Sequence, residues 1–176
     1  GWGRNQVLAP KESDLLIQLD FTHDPDALSV ARDEYDLPAS LGLNLLTAHA
    51  IKFGNKGWES LTGIPASLGG AIFMNAGTAL GEIGAIVKRV RLMNSDGLIR
   101  EEVITPTSFK YRKNTFVQKD EVIVGAVLFH HGLDGTLAVE QRVLDGEFFA
   151  GQRRQAAGAL ERAEPLRHAG GPVQAL

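Results

Sequence analysis

One stretch, GIPASLGGAIFMNAG at 63–77, constrains the fold of this chain most, because glycines, a proline and a serine interrupt an otherwise apolar run. A buried strand disfavours these residues, and we expect them to break a helix. Gly69 and Gly70 allow positive φ and the close approach of another group to the backbone. The exposed N–H groups of such a turn can bind an anion, typically a phosphate. A glycine-rich turn that only joins packed elements is the alternative interpretation.

The residues around these glycines favour a ligand-binding loop, although they match no common nucleotide motif. Ser67 can add a hydroxyl donor, and Pro65 stiffens the entry to the loop. The small residues Ala71, Ala76 and Gly77 leave room for a flat ligand or a second backbone. Neither the P-loop pattern nor G-x-G-x-x-G is present, so the stretch alone does not identify the ligand.

The composition of the 176 residues limits the class of protein. Apolar residues make up 44% and charged residues 22%, which is typical of a globular domain. The absence of cysteine excludes disulfides, thiolate metal sites and cysteine nucleophiles, and it is compatible with a reducing compartment. A net charge of -3 and the lack of a long apolar run predict binding to neither nucleic acid nor membrane. His130 and His131 lack a third ligand, so we predict no metal site.

Hydrophobic periodicity and turn residues predict an α+β fold. The predicted elements are a strand at Leu15–Leu19, a helix start at Asp24-Pro25, a helix from about Leu43 to Phe53 that Asn55 and Gly57 stop, a strand at 87–92, a hairpin turn at 95–97 and a strand at 122–129. Beyond Gly135 the chain is rich in Ala, Arg, Glu and Gln. We therefore predict a mixed sheet with helices over 1–132 and a helical segment over 136–176.

Three segments carry a resemblance to a known family. They are the start of the chain, GWGRN, the segment 57–83, GWESLTGIPASLGGAIFMNAGTALGEI, and the segment 108–116, SFKYRKNTF. In this order they resemble the G-G-G-S-N, G-L-E-x-L-x-G-I-P-G-T-V-G-G-A-x-x-x-N-A-G-A-Y-G-x-E-I and F-x-Y-R-x-S-x-F motifs of UDP-N-acetylenolpyruvoylglucosamine reductases, the MurB family. The resemblance covers about residues 1–130. The chain departs from these motifs at Trp2, Arg4, Trp58, Ala66, Ser67, Leu68, Thr78, Leu80 and Asn114.

The resemblance implies an α+β FAD-binding domain of the type shared by MurB and vanillyl-alcohol-oxidase-like proteins, in which mixed sheets are flanked by helices. A partial domain of this kind would occupy 1–132 and precede the helical segment. Backbone N–H groups of the two glycine loops would hold the FAD pyrophosphate. The positions implied to bind the cofactor are Gly3, Arg4, Asn5, Ile64, Pro65, Ala66, Ser67, Gly69, Gly70, Asn75, Ala76, Gly77, Glu82, Ile83 and Val124.

The same resemblance implies a reaction in cytoplasmic peptidoglycan precursor synthesis. NADPH would reduce FAD, and FAD would then reduce the enolpyruvyl group of a UDP-sugar to give UDP-N-acetylmuramate. Arg112 would stabilise the substrate carboxylate, because a guanidinium is permanently charged and offers paired donors. Tyr111 would lie beside Arg112 and shape the site, whereas the residue type by itself favours a half-buried packing ring. Outside this motif, an arginine in the sequence KYRK is typically a solvated surface charge.

The resemblance is incomplete at the C-terminal side. The family places its proton-donor serine in an A-G-S-x-F-K-N-P segment, whereas this chain ends in PLRHAGGPVQAL, with Gly171 in the place of the serine. The family's late glutamate would fall beyond residue 176. Two alternatives therefore stay open beside the reductase. One is a degenerate MurB-like module that binds flavin or a partner without catalysis, and the other is a different flavin oxidase of the same superfamily.

Overall fold

The computed structural model describes residues 18–133. The predicted glycine loop at Gly3–Asn5, most of the strand at Leu15–Leu19 and the helical segment over 136–176 lie outside these residues. The described elements are, in chain order, β1 (Glu34–Pro38), α1 (Leu43–Phe53), α2 (Leu68–Phe73), β2 (Gly77–Thr78), β3 (Gly81–Glu82), β4 (Val87–Met93), β5 (Ile99–Val103), β6 (Phe109–Lys110), β7 (Lys113–Asn114) and β8 (Val122–Phe129). Single 3₁₀ turns lie at Pro25–Leu28, Trp58–Leu61 and Ile83–Ile86.

The largest sheet has four strands in the order β1-β8-β4-β5, and the fold is α+β as predicted. Every strand pair of this sheet is antiparallel among the described residues. Ala126 lies at the centre of β8, opposite Leu37 of β1 on one side and Val90 of β4 on the other. The turn predicted at 95–97 joins β4 to β5, with Gly97 at φ 79°.

Strand β1 was not predicted from the sequence. Its side chains alternate, with Tyr35 and Leu37 buried and Glu34 and Asp36 exposed. This is the pattern of a strand with one buried face. The helix start predicted at Asp24 yields only one 3₁₀ turn, although the Asp24 side chain does cap it by accepting from the Asp26 N–H.

Helix α1 spans the predicted residues and packs its buried face against the 3₁₀ turn that carries Trp58. Leu46 and Trp58 are both 0% exposed, and the Trp58 indole N–H donates to the Phe129 carbonyl over 2.8 Å. The helix ends at Phe53 as predicted, but the residue that ends it is Gly54, which takes the left-handed conformation at φ 74° and donates its N–H to Ala50 O. Leu45, next to Leu46 in the sequence, is exposed and lies outside the buried face.

A buried polar cluster lies inside this core. The His49 ring bonds through Nδ1 to the Leu28 carbonyl and through Nε2 to the Tyr35 hydroxyl, over 2.9 and 2.8 Å. A carbonyl can only accept, so Nδ1 carries the proton and Nε2 accepts from the Tyr35 O–H. Burial is the main cause that lowers the pKa of His49. The neutral imidazole is therefore the form that fits the fold.

Within residues 18–133, none of the helices is long and apolar enough to cross a bilayer. The two short hairpins, β2–β3 and β6–β7, each form a separate two-stranded sheet. Helix α2 packs against β8 and also contacts β7. The core sheet therefore supports α2, and α2 in turn supports the surface on which the sequence motifs meet.

Candidate active-site surface

The middle of the glycine stretch forms a short helix, where the sequence predicted a glycine-rich loop. Helix α2 begins after Ser67, whose hydroxyl oxygen accepts the Gly70 N–H over 3.4 Å. Ser67 is thus the N-cap, and it is 3% exposed, so its hydroxyl is not presented to solvent as a donor. Burial of Leu68, Ala71 and Ile72 in the core offsets the low helix propensity of the two glycines.

The close approach that Gly69 allows is an approach of the protein's own backbone. The N–H groups of Leu68 and Gly69 donate to the carbonyls of Leu41 and Ala39, over 2.7 and 2.8 Å. A Cβ atom at position 69 would lie 2.8 Å from the Cβ of Ala39. The predicted phosphate contact through the Gly69 and Gly70 amides therefore has no support in this arrangement, because both N–H groups are already bonded. The alternative interpretation, a glycine-rich junction between packed elements, describes these two residues.

Asn75, near the C-terminal end of the stretch, bonds to three segments that are distant from one another in the chain. It is 1% exposed and has φ 44°, a left-handed conformation that asparagine adopts more readily than most residues. Its Nδ2 donates to Glu82 Oε2 over 2.6 Å and to Lys110 O over 3.1 Å. Its Oδ1 accepts the Gly84 N–H over 3.1 Å. One amide thus joins α2, the β2–β3 hairpin and the β6–β7 hairpin.

The β2–β3 hairpin requires glycine where it leaves α2. Gly77 lies opposite Glu82, and a Cβ at position 77 would lie 2.2 Å from Gly81 O and 2.7 Å from the Glu82 Cα. The Ile83 N–H donates to Ala76 O over 2.8 Å and extends this pairing. Ala76 and Ile83 are buried in the core, so their side chains support the hairpin from beneath.

The β6–β7 hairpin presents the predicted tyrosine and arginine at its turn. Tyr111 is 81% exposed, and Arg112 has φ 54°. The Arg112 Nη2 donates to Gly77 O over 3.2 Å, and its guanidinium carbon lies 5.6 Å from the Tyr111 ring centroid. Within residues 18–133, Arg112 forms no ion pair with a carboxylate. The structure therefore brings the 63–77 stretch and the Tyr-Arg segment together.

Three further residues hold this turn and were not singled out as site residues. Asn114 Nδ2 donates to Phe73 O over 2.8 Å, which ties β7 to the end of α2. The Phe109 ring lies against Gly84, where an added Cβ would come within 2.5 Å of the ring. The glycine in a G-E-I-G sequence was the available signal for a close aromatic contact, but its partner is 25 residues away and has no local signature.

An ion-pair network anchors the chain just after the hairpin. Arg100 of β5 donates to both carboxylate oxygens of Glu121, over 2.6 and 2.8 Å, and to Phe116 O. The hydrogen bonds from Arg100 lower the pKa of Glu121 to about 2, assisted by the Gln118 N–H. Glu121 therefore remains ionised except in strong acid, and the segment that follows Arg112 is fixed to the main sheet.

A shallow cleft of about 470 Å³ opens beside the β2–β3 hairpin. Its lining includes Gly81 and Glu82 of the hairpin and Gly57 at the start of the turn that carries Trp58. The remaining lining residues are Lys56, Glu59, Ser60, Leu80, Ala85 and His131. Glu82 connects this cleft to Asn75, so the cleft borders the surface on which the two motif segments meet.

The other described residues predicted to bind a cofactor are Ile64, Pro65, Ala66 and Val124. Ile64 and Ala66 are partly buried against the core, and Pro65 between them is exposed. Val124 is half-buried in β8, and its carbonyl accepts the Ala39 N–H over 3.1 Å. Cofactor binding at these positions stays a prediction.

The known proteins that this chain matches share one name. The chain is 33% identical over 125 residues to a UDP-N-acetylenolpyruvoylglucosamine reductase of Leuconostoc mesenteroides, a match that covers 70% of this chain and 42% of the relative. It is 35% identical over 100 residues to the reductase of Streptococcus pneumoniae, which covers 56% and 33% of the two chains. The crystal structure of MurB from Thermus caldophilus matches with a TM-score of 0.57 and 25% identity, over 72% of this chain and 46% of that one. The chain belongs to the MurB family.

The match covers only part of the length of each relative. The chain spans less than half of the MurB relatives named above. No protein-family model matches it. The predicted family and the α+β fold are thus confirmed, and the fold is that of part of MurB.

Proposed function

We propose that this chain forms the FAD-binding part of a MurB-type oxidoreductase, which reduces UDP-N-acetylglucosamine enolpyruvate with NADPH in cytoplasmic peptidoglycan precursor synthesis. One observation carries the proposal. Among residues 18–133, the two non-glycine residues with positive φ are Asn75 and Arg112. They come from two motif segments 37 residues apart, and both bond to the β2–β3 region. Such backbone conformations persist where the surrounding structure holds them, which is typical of functional sites.

The surface around Arg112 fits a flat aromatic cofactor better than it fits a phosphate. Phe73, Met74, Leu80 and Tyr111 all expose apolar side chains on or beside the two motif segments. FAD, when bound, supplies the hydride chemistry, and the protein supplies binding and orientation. We propose that Pro65, the β2–β3 hairpin and this apolar surface contribute to holding the cofactor. Its phosphates need donors other than the Gly69 and Gly70 amides.

Arg112 is proposed to bind the carboxylate of the enolpyruvyl group. Its guanidinium is exposed, has no carboxylate partner among the described residues and is held in place by Gly77 O. Arginine can bind a carboxylate through two parallel N–H donors, which fixes orientation as well as charge. Tyr111 contacts the guanidinium by a cation–π interaction and limits its movement.

Binding measurements test this proposal without requiring turnover. The first is a titration with FAD followed by flavin fluorescence, with gel filtration to show whether the flavin is retained. The second is the affinity of the flavin-loaded protein for the enolpyruvyl UDP-sugar. Arg112→Ala should weaken sugar binding by about 10- to 100-fold, the value of a charge-assisted hydrogen bond, and leave FAD binding unchanged. The matched control is Lys113→Ala, which removes an adjacent exposed cation.

Absence of FAD binding by the wild-type protein would overturn the proposed function. An equal loss of affinity for the UDP-sugar in Arg112→Ala and Lys113→Ala would show that net positive charge, and not a specific arginine, binds the sugar.

A module that binds flavin without completing the reaction is the second candidate. Gly171 in the place of the family's proton-donor serine favours it, because a glycine has no side chain to donate a proton. This candidate predicts retained FAD and bound UDP-sugar, but no oxidation of NADPH that depends on the sugar. A complete reductase would retain FAD, bind the UDP-sugar and also oxidise NADPH when the sugar is present.

A further inference from the structure

We infer that Asn75 is a positioning residue, which sets the Tyr111–Arg112 turn relative to Glu82, and that it does not contact the cofactor directly. The inference rests on the proposed function, since it assigns Arg112 its orientation at that site. It also replaces the sequence prediction that Asn75 binds FAD.

Both N–H donors and the oxygen of the Asn75 side-chain amide already have partners within the protein. A carboxamide has two N–H donors, and those of Asn75 face the Glu82 carboxylate and the Lys110 carbonyl. Its oxygen faces the Gly84 N–H. The opposite amide orientation would place oxygen against two acceptors, so only one orientation satisfies the contacts. With 1% of the residue exposed, no N–H is left for a ligand.

The Tyr-Arg turn is attached to the rest of the protein by few contacts. Lys110, Tyr111, Arg112 and Lys113 are all exposed, so little apolar burial holds the turn in place. The hydrogen bonds that attach it to the α2 side are those from Asn75 to Lys110 O, from Arg112 to Gly77 O and from Asn114 to Phe73 O. Segments held in this way open at low free-energy cost. Loss of the Asn75 bond is therefore expected to mobilise the turn that carries Arg112.

The chemistry at position 75 also limits which residue can do this. Glycine accepts the positive φ but has no side-chain amide. Aspartate has the right shape, but its side chain has no N–H donor. Asparagine supplies both the conformation and the two donors. The pairing with Glu82 further couples the turn to the cleft, because Glu82 lines it.

Hydrogen exchange of the full chain, read by mass spectrometry over residues 108–117, tests the inference without any flavin. Asn75→Asp places a second carboxylate against Glu82 and Lys110 O. At about pH 7 we expect exchange in this segment to be at least about tenfold faster than in the wild type. As the pH falls toward about 4, where carboxyl groups take up protons, one shared proton restores a donor. The ratio of variant to wild-type exchange should then decrease.

Two further variants complete the test. Asn94→Asp is the matched control, because the Asn94 oxygen only accepts, from the Asp96 and Leu98 N–H groups, and an aspartate keeps that role. We expect it to leave residues 108–117 unchanged. Asn75→Gly keeps the positive φ and removes the amide, so it should speed exchange in the same segment without pH-dependent recovery.

The outcomes separate the inference from the proposed function. Unchanged exchange at 108–117, an equal increase across α1 and β8, or global unfolding of both Asn75 variants would each overturn the positioning role. If the protein binds FAD, Asn75→Asp should lower the affinity for the enolpyruvyl UDP-sugar and leave the affinity for FAD unchanged. A loss of FAD affinity alone would make Asn75 a direct cofactor contact. A wild type that binds no FAD overturns the proposed function and leaves the exchange result standing.

Discussion

The core sheet with α1 and the surface that carries Arg112 are held together in different ways. In the core, Trp58 and Leu46 are fully buried, and each contact is supported by many apolar neighbours. On the site surface, Tyr111 is 81% exposed, and single hydrogen bonds fix the backbone around it. Apolar burial spreads the stabilisation over many residues, whereas an isolated hydrogen bond fixes the position of only a few residues. Changes in the two regions should therefore affect different measurements.

The largest effect on stability is expected from Trp58→Ala. The change removes a fully buried ring and leaves the Phe129 carbonyl without its indole donor, which should cost about 3–5 kcal/mol in the free energy of unfolding. Denaturant unfolding measures this, with Leu98→Ala as the control. Leu98 is 68% exposed, and its removal should change stability by less than about 0.5 kcal/mol. A small effect at Trp58 would break the distinction between the two regions.

An intermediate, pH-dependent effect is expected from His49. Burial lowers its pKa from the usual 6.5, opposed by the Leu28 carbonyl and assisted by Lys52 and His130. The unfolded chain therefore binds the proton first as the pH falls. Stability is complete above about pH 6.5 and declines below it, until the pH reaches the lowered pKa, by at most about 1.4 kcal/mol per pH unit.

Replacement of this histidine checks the origin of the slope. His49→Gln should remove part of the decline in unfolding free energy between about pH 7 and pH 5, even if its stability at pH 7 is lower. His23→Gln, at an exposed position, corrects for the loss of a histidine elsewhere. An unchanged slope in His49→Gln would mean that the buried cluster does not titrate on unfolding.

The smallest effect on stability is expected from Arg112→Gly. Glycine relieves the left-handed conformation at φ 54°, and the greater freedom of the unfolded chain opposes this gain. The net change should stay within about 0.5 kcal/mol, although the proposed carboxylate site is lost. Lys113→Gly, at a neighbour without positive φ, should cost about 0.5–1 kcal/mol. A loss of more than about 2 kcal/mol at Arg112 would show that the turn belongs to the cooperative core.

Local patterns predicted the core better than the site. The limits of α1 and β8 agree with the sequence prediction, because apolar periodicity reflects a face that is buried along its whole length. Strand β1 was missed because acidic residues alternate with its two buried side chains. Helix α2 was missed because two glycines lower helix propensity, while the Ser67 cap and the contact with Ala39 become visible only in the folded chain.

The family motif implied that Tyr111 lies beside Arg112, but the half-buried ring that the residue type favoured is wrong, because Tyr111 is 81% exposed. Neither signal indicated what holds the turn. The partners of Asn75 lie 7, 9 and 35 residues away along the chain. No periodicity connects such positions. The same limit applies to Gly69, whose N–H group was expected to face a ligand and instead bonds to Ala39 O.

The sequence by itself determined the α+β class, the principal helix and strands of the core, and the family, since these depend on local propensity and on the order of motifs. The tertiary structure decided which N–H groups are already bonded, which hairpins meet, and that Asn75 and Arg112 face the same hairpin. The physical reason is that a hydrogen-bond partner is selected by the approach of segments distant in sequence. Local propensity, which acts between near neighbours, carries no information about that approach.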